Sequence, residues 1–532
     1  MATLNQIADQ EWEVLVIGGG IFGAAVARDA VMRGFKTALV ERNDFAGETS
    51  GRSTKLVHGG IRYLEHLELG LVRECLAERT ILLTMARHLV KPLPFLFPVF
   101  KGDRFPLPLI KLGTALYGTL AGRNTLKTQE SFSALAVKDY YPFLANAPIQ
   151  GAVKYYDAQM DDIRLCLETV LTAQMEGAQA ANHTEVIKIG IRSDGKYDVV
   201  LKDTLSGARG KTRAQVLVNA AGPWADKLRS KLEPQHKPML LLSKGIHLIV
   251  NKKFSGDAVV LSSSDKRIIF IIPWREGSII GTTDTPFAGE LEEVRASEND
   301  IEFLRNEVER ITCGIRIENK DIITTFAGLR PLAALNSGNT AKASRKHHIY
   351  ESPPRFFSIV GGKYTTHRLI AEQVCNKIEH ALGRGHVRSR TAQTPLLGSF
   401  DLQSDPPRFY IPAQRSEMQL SSLKNLLCTY GGQIKKVLQI ANRSSVLQRP
   451  LSPQHPLIGA QVIYAIEHEM ARTLMDVCVR RLRLDQMPGC GLDTVGQAAD
   501  LMAARLNWSW LQKEKEILEY QSWVRQQTEF LF

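Results

Sequence analysis

The amino-acid sequence predicts an α/β protein in three parts: a doubly wound, largely parallel sheet, an antiparallel sheet, and a helical C-terminal region. Three observations predict it. An apolar strand, a glycine-rich turn and an alanine-rich helix follow one another between Val14 and Arg33. Four short apolar runs crowd the stretch from Gly245 to Thr285, a spacing typical of an antiparallel sheet. Beyond about Thr391 the pattern becomes polar and helical. A chain of 532 residues is too long for one core, so two or three domains are expected.

The first element justifies the parallel sheet. Val14-Leu15-Val16-Ile17 is an apolar run suited to a strand buried on both faces, and Gly18-Gly19-Gly20-Ile21-Phe22-Gly23 follows at once. Gly18 permits the tight turn, Gly20 lets a pyrophosphate approach the backbone, and Gly23 lets the helix pack on the strand. Thr37 to Val40 forms the next strand, and Glu41, eighteen residues beyond Gly23, can accept hydrogen bonds from a ribose. The unit is Rossmann-like and predicts a dinucleotide site that includes Arg42.

The stretch from Gly47 to Leu64 is rich in glycine and hydroxyls. It cannot form a core but can wrap a polar ligand, so Thr49, Ser50, Ser53, Thr54 and Lys55 are candidate cofactor contacts. Leu64 to Val90 suggests one long helix or two shorter ones. Pro92 to Phe100 and Phe105 to Leu120 then set aromatic, proline and leucine residues among seven basic side chains and a single acid, Asp103. Prolines forbid a long helix here, and the mixture suits an anionic lipid surface; the alternative is a buried, bent connection. Asp161 to Gly177 reads as a helix, Val186 to Lys202 as a strand, and Val216 to Asn219 as a later strand of the nucleotide sheet. Its turn, Ala220-Ala221-Gly222, faces the ligand. After a strand at Phe356 to Val360, Gly361-Gly362-Lys363-Tyr364-Thr365-Thr366 opens an amphipathic helix to about Leu382. Gln461 to Leu484 reads as one helix whose Arg480, Arg481 and Arg483 favour its negative end.

The excess of 67 basic over 55 acidic residues gives a net charge of +12, which suits an anionic substrate, a membrane surface or nucleic acid. Aromatic residues interleave with prolines and leucines rather than with basic residues, so no nucleic acid is expected. Seven scattered cysteines predict neither disulfides nor a metal site. No signal peptide, Arg-rich transit peptide or spanning helix is read, which predicts a cytoplasmic protein or one attached from that side.

A dinucleotide site admits NAD or FAD. Gly361, Gly362 and Lys363 at a second helix N-terminus favour FAD, because a reduced flavin carries negative charge that such a dipole and a lysine stabilise. Arg62, Arg330 and Arg345 suit a phosphate, and His58 or His247 suits the proton of an alcohol being oxidised.

Gly18 to Glu41, Ser53 to Glu65, Asn219 to Trp224, Ile280 to Asp284, Gly328 to Leu332, Gly361 to Thr366 and Glu469 to Leu484 together resemble the FAD-dependent glycerol-3-phosphate dehydrogenases, over nearly the whole chain and in order. The resemblance implies an FAD-binding domain from residues 1–90 with parts of 150–235 and 355–385. It implies a substrate domain from 91–150, with the membrane-contacting segment, and 236–354, and a C-terminal helical cap domain at 391–532. It further implies oxidation of sn-glycerol 3-phosphate to dihydroxyacetone phosphate, electron transfer to membrane quinone, and peripheral attachment to the inner face of the cytoplasmic membrane. Arg62, Tyr63, Arg330 and Arg345 would hold substrate, with Arg330 also catalytic, and Lys363 and Thr366 would flank a non-covalent flavin. Two departures stand near these motifs: His367 where the family usually has Tyr, and Lys346-His347-His348 after Arg345. A related polyol phosphate such as a tetritol phosphate, oxygen as acceptor, and the oligomeric state, a homodimer among the options, stay open.

Overall fold

The computed structural model describes residues 4–265, 267–334, 346–399 and 418–531. Arg345, Ser344 and the prolines 406, 407 and 412 lie outside them. In chain order the main elements are β1 (Glu11–Ile17), α1 (Ile21–Met32), β2 (Thr37–Val40), α2 (Leu69–Met85), β3 (Val90–Phe100), α3 (Leu107–Ala121), β4 (Ile149–Met160), α4 (Asp162–Met175), β5 (Thr184–Ile191), β6 (Tyr197–Asp203) and β7 (Arg209–Asn219). They continue with β8 (Leu240–Val250), β9 (Ala258–Ser262), β10 (Ile268–Trp274), β11 (Gly277–Gly281), β12 (Ile322–Ala333), β13 (His348–Glu351), β14 (Phe356–Val360), α5 (His367–Ala381) and α6 (Gly459–His468).

The first sheet runs in the order β13-β14-β7-β1-β2 and ends on the short strand Gln179–Ala181. β2, β1, β7 and β14 are parallel. Ile17 lies beside Val40 and Asn219, and Asn219 beside Ser358. The carboxyl ends of four strands therefore finish level, which creates the crevice where such sheets take ligands. Small side chains on α1 (Ala24, Ala27, Ala30) let it pack closely on α4 through Cys166 and Val170 and on α5 through Ile370 and Val374.

In the second sheet β8, β11, β10 and β9 are antiparallel neighbours. β3 joins β9 in parallel at Phe95 and Leu96, and β4 lies along β3. β12 pairs with β8 over its length.

Several elements differ from expectation. The stretch from Val186 to Lys202 is a hairpin, β5 and β6, because Asp194 and Gly195 turn the chain. The run Pro92 to Phe100 is sheet rather than interface: Leu93, Phe95, Leu96 and Val99 are buried. Pro92, Pro94 and Pro98 stand at alternate positions, so one edge of the strand carries all the missing N–H groups while the ladder to β4 is kept. A helix of 15 residues does follow, α3, with Pro106 as its N-cap and Pro108 in the first turn, where the lost donors are unpaired anyway.

The expected helix over Gln461 to Leu484 ends at His468. Glu469, buried, ion-pairs with Arg164 at 2.6 Å, and the Asp476 carboxylate accepts the N–H groups of Arg472 and Thr473, which starts a new turn. Arg481 meets Asp44 and Arg483 meets Asp161, so these cations fasten the C-terminal helices to the nucleotide sheet instead of capping their own helix. No helix among the described residues is long and apolar enough to cross a membrane.

Candidate active site

The site begins where β1 gives way to α1. A side chain on Gly18 would collide with the Ala220 carbonyl oxygen at 2.5 Å, and Gly18 has φ +113°, so glycine is required there. The Ser50 hydroxyl accepts the Ile21 N–H at 2.9 Å and fixes the first turn of α1. Glu41 accepts the Gly19 N–H at 2.6 Å and the Asn43 N–H at 2.9 Å. Burial raises its pKa and those two donors act against the rise. Arg42 lies 4.3 Å over the Trp224 ring and pairs with Glu292 at 3.2 Å. Thr49 donates to the Leu329 carbonyl at 2.8 Å, tying the hydroxyl-rich loop to β12.

A cavity of about 580 Å³ runs from Glu41, Arg42 and Val186 past Gly20, Ser50 and Gly222 to Gly361, Gly362 and Lys363. At that far end Gly361 and Gly362 have φ values of +71° and +87° and turn the chain from β14 towards α5. The Lys363 ammonium stands 3.6 Å from the Tyr63 ring centre and donates to Cys75 Sγ at 3.4 Å. Thr365 Oγ1 lies 3.3 Å from the His58 N–H, which donates to it.

A second cavity, about 510 Å³, adjoins the first and shares Thr54, Leu56, His58, Tyr63 and Arg330 with it. Arg62, Arg267, Thr282, Asp284 and Asp157 are among its other walls. Arg330 Nη2 donates to Thr282 Oγ1 at 2.8 Å and to the Thr283 carbonyl at 3.2 Å, and Nη1 lies 3.4 Å from Asp284. Its guanidinium lies against Gly245, where a Cβ would meet Nη2 at 2.2 Å. His247, two residues further along β8, stacks on Phe326 at 4.7 Å and bonds Thr54 Oγ1 through Nε2 at 2.9 Å. Its Nδ1 has no hydrogen-bond partner. Burial, then the charges of Arg330 and Lys55, hold its pKa well below the ordinary value of 6.5, so the ring is neutral.

The expected site residues thus gather in two places. Gly18, Gly20, Glu41, Arg42, Thr49, Ser50, Ser53, Thr54 and Gly222 line the first cavity with Gly361, Gly362 and Lys363, and Arg62 and Tyr63 line the second. Gly23 acts from behind the wall. Two differ: Lys55 is buried in an ion pair with Asp162 at 2.7 Å, away from the cavity, and Thr366 turns its hydroxyl back to the Lys363 carbonyl at 3.4 Å while Thr365 takes the wall. Positive φ at Lys55 and the helical turn at 364–366 set those directions. Neither departure from the family pattern reaches the walls: His367 is buried with Nδ1 on the Tyr364 carbonyl at 2.7 Å, and His347 bonds Gln373 at 2.7 Å. Sequence reasoning gave no role to Arg267, Thr282, Asp284 or Asp157. The Thr282-Thr283-Asp284 run at the end of a strand was the available signal; nothing distinguishes Asp157 before folding.

The connected cavity fits an extended dinucleotide carrying a flavin. A glycine-walled helix N-terminus stands where a pyrophosphate would lie, a carboxylate at one end, and at the other a lysine, a second helix N-terminus and the orphaned His247 Nδ1. The FAD dependent oxidoreductase family matches residues 13–376, and the C-terminal domain of alpha-glycerophosphate oxidase matches residues 389–513. The chain is 34% identical over 526 residues to glycerol-3-phosphate dehydrogenase 2 of Mycobacterium tuberculosis (strain CDC 1551 / Oshkosh), covering 98% of this chain and 89% of that protein. It is 36% identical to the mitochondrial glycerol-3-phosphate dehydrogenase of Rattus norvegicus, covering 95% and 72%. Among solved structures, a glycerol-3-phosphate dehydrogenase from Bacillus halodurans complexed with FAD superimposes with a TM-score of 0.79 at 28% identity, over 99% of this chain and 97% of that one. An L-alpha-glycerophosphate oxidase from Mycoplasma pneumoniae, at 18% identity and a TM-score of 0.57 over 73% of this chain and 99% of that one, shares the fold.

Proposed function

Because the chain belongs to the family of FAD-dependent glycerol-3-phosphate dehydrogenases, we propose that it oxidises the C2 hydroxyl of sn-glycerol 3-phosphate and passes the electrons to a membrane quinone. The observation that carries this reading is the wall shared by the two cavities, where His58, Tyr63 and Arg330 stand between a flavin-sized channel and an arginine-lined chamber. FAD, when bound, supplies the two-electron acceptor for the carbinol hydrogen.

The residues divide the remaining work. Arg62 and Arg330 offer guanidinium forks to the phosphate and the polyol oxygens. Lys363 and the N-terminus of α5 put positive potential at the flavin end. His58 takes the hydroxyl proton. His247 is the poorer acceptor, since a charge on it would be buried beside Arg330 and Lys55; it serves as a neutral ring that positions Thr54. The departures at His347 and His367 lie off the cavity walls, which supports glycerol 3-phosphate over a longer polyol phosphate.

α3 supports the membrane acceptor. Leu109, Leu112 and Leu116 are exposed along one face, Leu112 at 66%, with Leu67 beside the same region at 80%. Lys101, Arg104 and Arg123 are exposed around it. Cations around exposed leucines suit an anionic bilayer surface. Anaerobic mixing with a panel of polyol phosphates tests the substrate: glycerol 3-phosphate should bleach the flavin fastest, and no bleaching would reject it. Reoxidation of the reduced enzyme by quinone should outrun reoxidation by oxygen; rapid peroxide formation would assign an oxidase instead.

A further inference from the structure

The same helix that presents leucines outward carries Tyr117 on its inner side. Tyr117 donates to both carboxylate oxygens of Asp157, at 2.9 Å and 2.8 Å. Asp157 Oδ1 also accepts from Arg79 Nη1 at 2.7 Å and from the Gly59 N–H at 3.3 Å, and all three side chains are buried. Gly59 follows His58, whose own N–H is held by Thr365 from the flavin end. There is no slack at this point: a Cβ on Gly59 would stand 2.3 Å from the Tyr117 hydroxyl. Burial, then Asp157, raises the Tyr117 pKa well above its usual value, so the phenol keeps its proton and stays the donor. The turn Ile61–His66, which bears Arg62 and Tyr63, packs through Ile61, Tyr63 and Leu64 against the cluster that contains Tyr117 and Ala121 of α3. One face of α3 is therefore solvent-facing and apolar, and the other is wired to the backbone between His58 and Arg62.

We propose that Tyr117 and Asp157 are positioning residues that couple an anionic bilayer seated on the leucine face of α3 to the His58–Gly59 backbone, so that lipid binding tightens the substrate cavity. The inference rests on the reading of α3 as the membrane-facing helix and of the second cavity as the substrate site. A shift or rotation of α3 under a bilayer moves the Tyr117 hydroxyl, and through Asp157 it moves Gly59 and the adjoining proton acceptor. The coupling is mutual, so substrate should strengthen vesicle binding by the same factor.

The experiment uses the full-length holoenzyme, glycerol 3-phosphate and a water-soluble dye as acceptor, with and without vesicles of phosphatidylethanolamine and phosphatidylglycerol. For the wild type, vesicles should lower KM by about fivefold, the lower end of ordinary coupling energies. Tyr117→Phe should float with the same vesicles and show a KM ratio near one. A Tyr117→Phe variant that keeps the wild-type ratio overturns the proposal, as does a vesicle-bound wild type whose KM does not change. Hydrogen exchange on the wild type needs no variant to fold: the amides of the peptide holding Gly59 and Gly60 should gain protection on vesicles, and unchanged protection rejects the coupling. Failure of the parent readings shows differently. If the wild type does not float, the membrane reading falls and the coupling with it; if glycerol 3-phosphate fails to bleach the flavin, the substrate reading falls while the exchange response is still measured.

Discussion

Gly23 packs so closely on Gly18 that a Cβ at position 23 would stand 1.8 Å from the Gly18 carbonyl oxygen. No rotamer relieves a clash with backbone, so α1 must move off β1 and carry the N-terminus that faces the pyrophosphate with it. Gly23→Ala should weaken FAD binding by about 5- to 160-fold, taking about 1–3 kcal/mol for overpacking. Flavin absorbance per mole of purified protein and titration of the apoprotein measure this. Full occupancy in the variant would remove Gly23 from the cofactor site.

His58 and His247 should separate kinetically. His58→Gln is expected to lower kcat by about 10²- to 10⁴-fold, the usual contribution of a positioned base. His247→Gln, which can still hydrogen-bond Thr54, is expected to cost less than about tenfold on the same scale. Single-turnover flavin reduction reads both, and the reverse order would make His247 the base.

Lys55 and Asp162 form an ion pair with no exposed side-chain surface. Lys55→Met leaves the Asp162 charge buried without its counter-ion and should cost about 3–5 kcal/mol of stability. Because Lys55 lies off the cavity wall, FAD affinity measured well below the unfolding transition should change little. Denaturant titration and flavin titration distinguish the two effects, and a variant as stable as wild type with poor FAD binding would return Lys55 to the cofactor site.

His367 should make the fold sensitive to acid. Burial lowers its pKa from 6.5 to about 4, so the folded state resists a proton that the unfolded chain accepts. The stability is whole above pH 6.5 and is lost as the pH falls from 6.5 to about 4, by about 3 kcal/mol at 1.36 kcal/mol per pH unit. His367→Phe should flatten that part of the unfolding free energy against pH. An unchanged slope would assign the acid sensitivity to other groups.

Much of the nucleotide end was legible before folding because its chemistry is local. A strand, a Gly-x-Gly-x-x-Gly turn, a helix and Glu41 lie within 31 residues of one another, Glu11 to Glu41, and each glycine answers to a backbone contact that any folded copy of that turn must make. The four close strands around His247 were legible for the same reason. The helix after Gln461 was not: its periodicity continues through Glu469, and only the burial of that carboxylate against Arg164, 305 residues away in sequence, breaks it. The apolar stretch from Pro92 to Leu120 divides on folding. Aromatics and prolines at 92 to 100 look like an interface until β4 pairs with them, and the exposed leucines belong to α3 instead.

The sequence by itself determined that a dinucleotide binds across the end of a parallel sheet, that Gly361 to Thr366 answer the first glycine turn from far along the chain, and that arginines and histidines lie among these motifs. Tertiary structure decided which of them share a wall. Lys55 and Thr54 are neighbours in sequence, yet one side chain enters an ion pair in the core and the other enters the cavity. Asp157, with no motif around it, joins Arg79, Tyr117 and Gly59 from three other segments of the chain. Local patterns record what the backbone must do at each position; the direction of a side chain and the company it keeps depend on partners brought from hundreds of residues away.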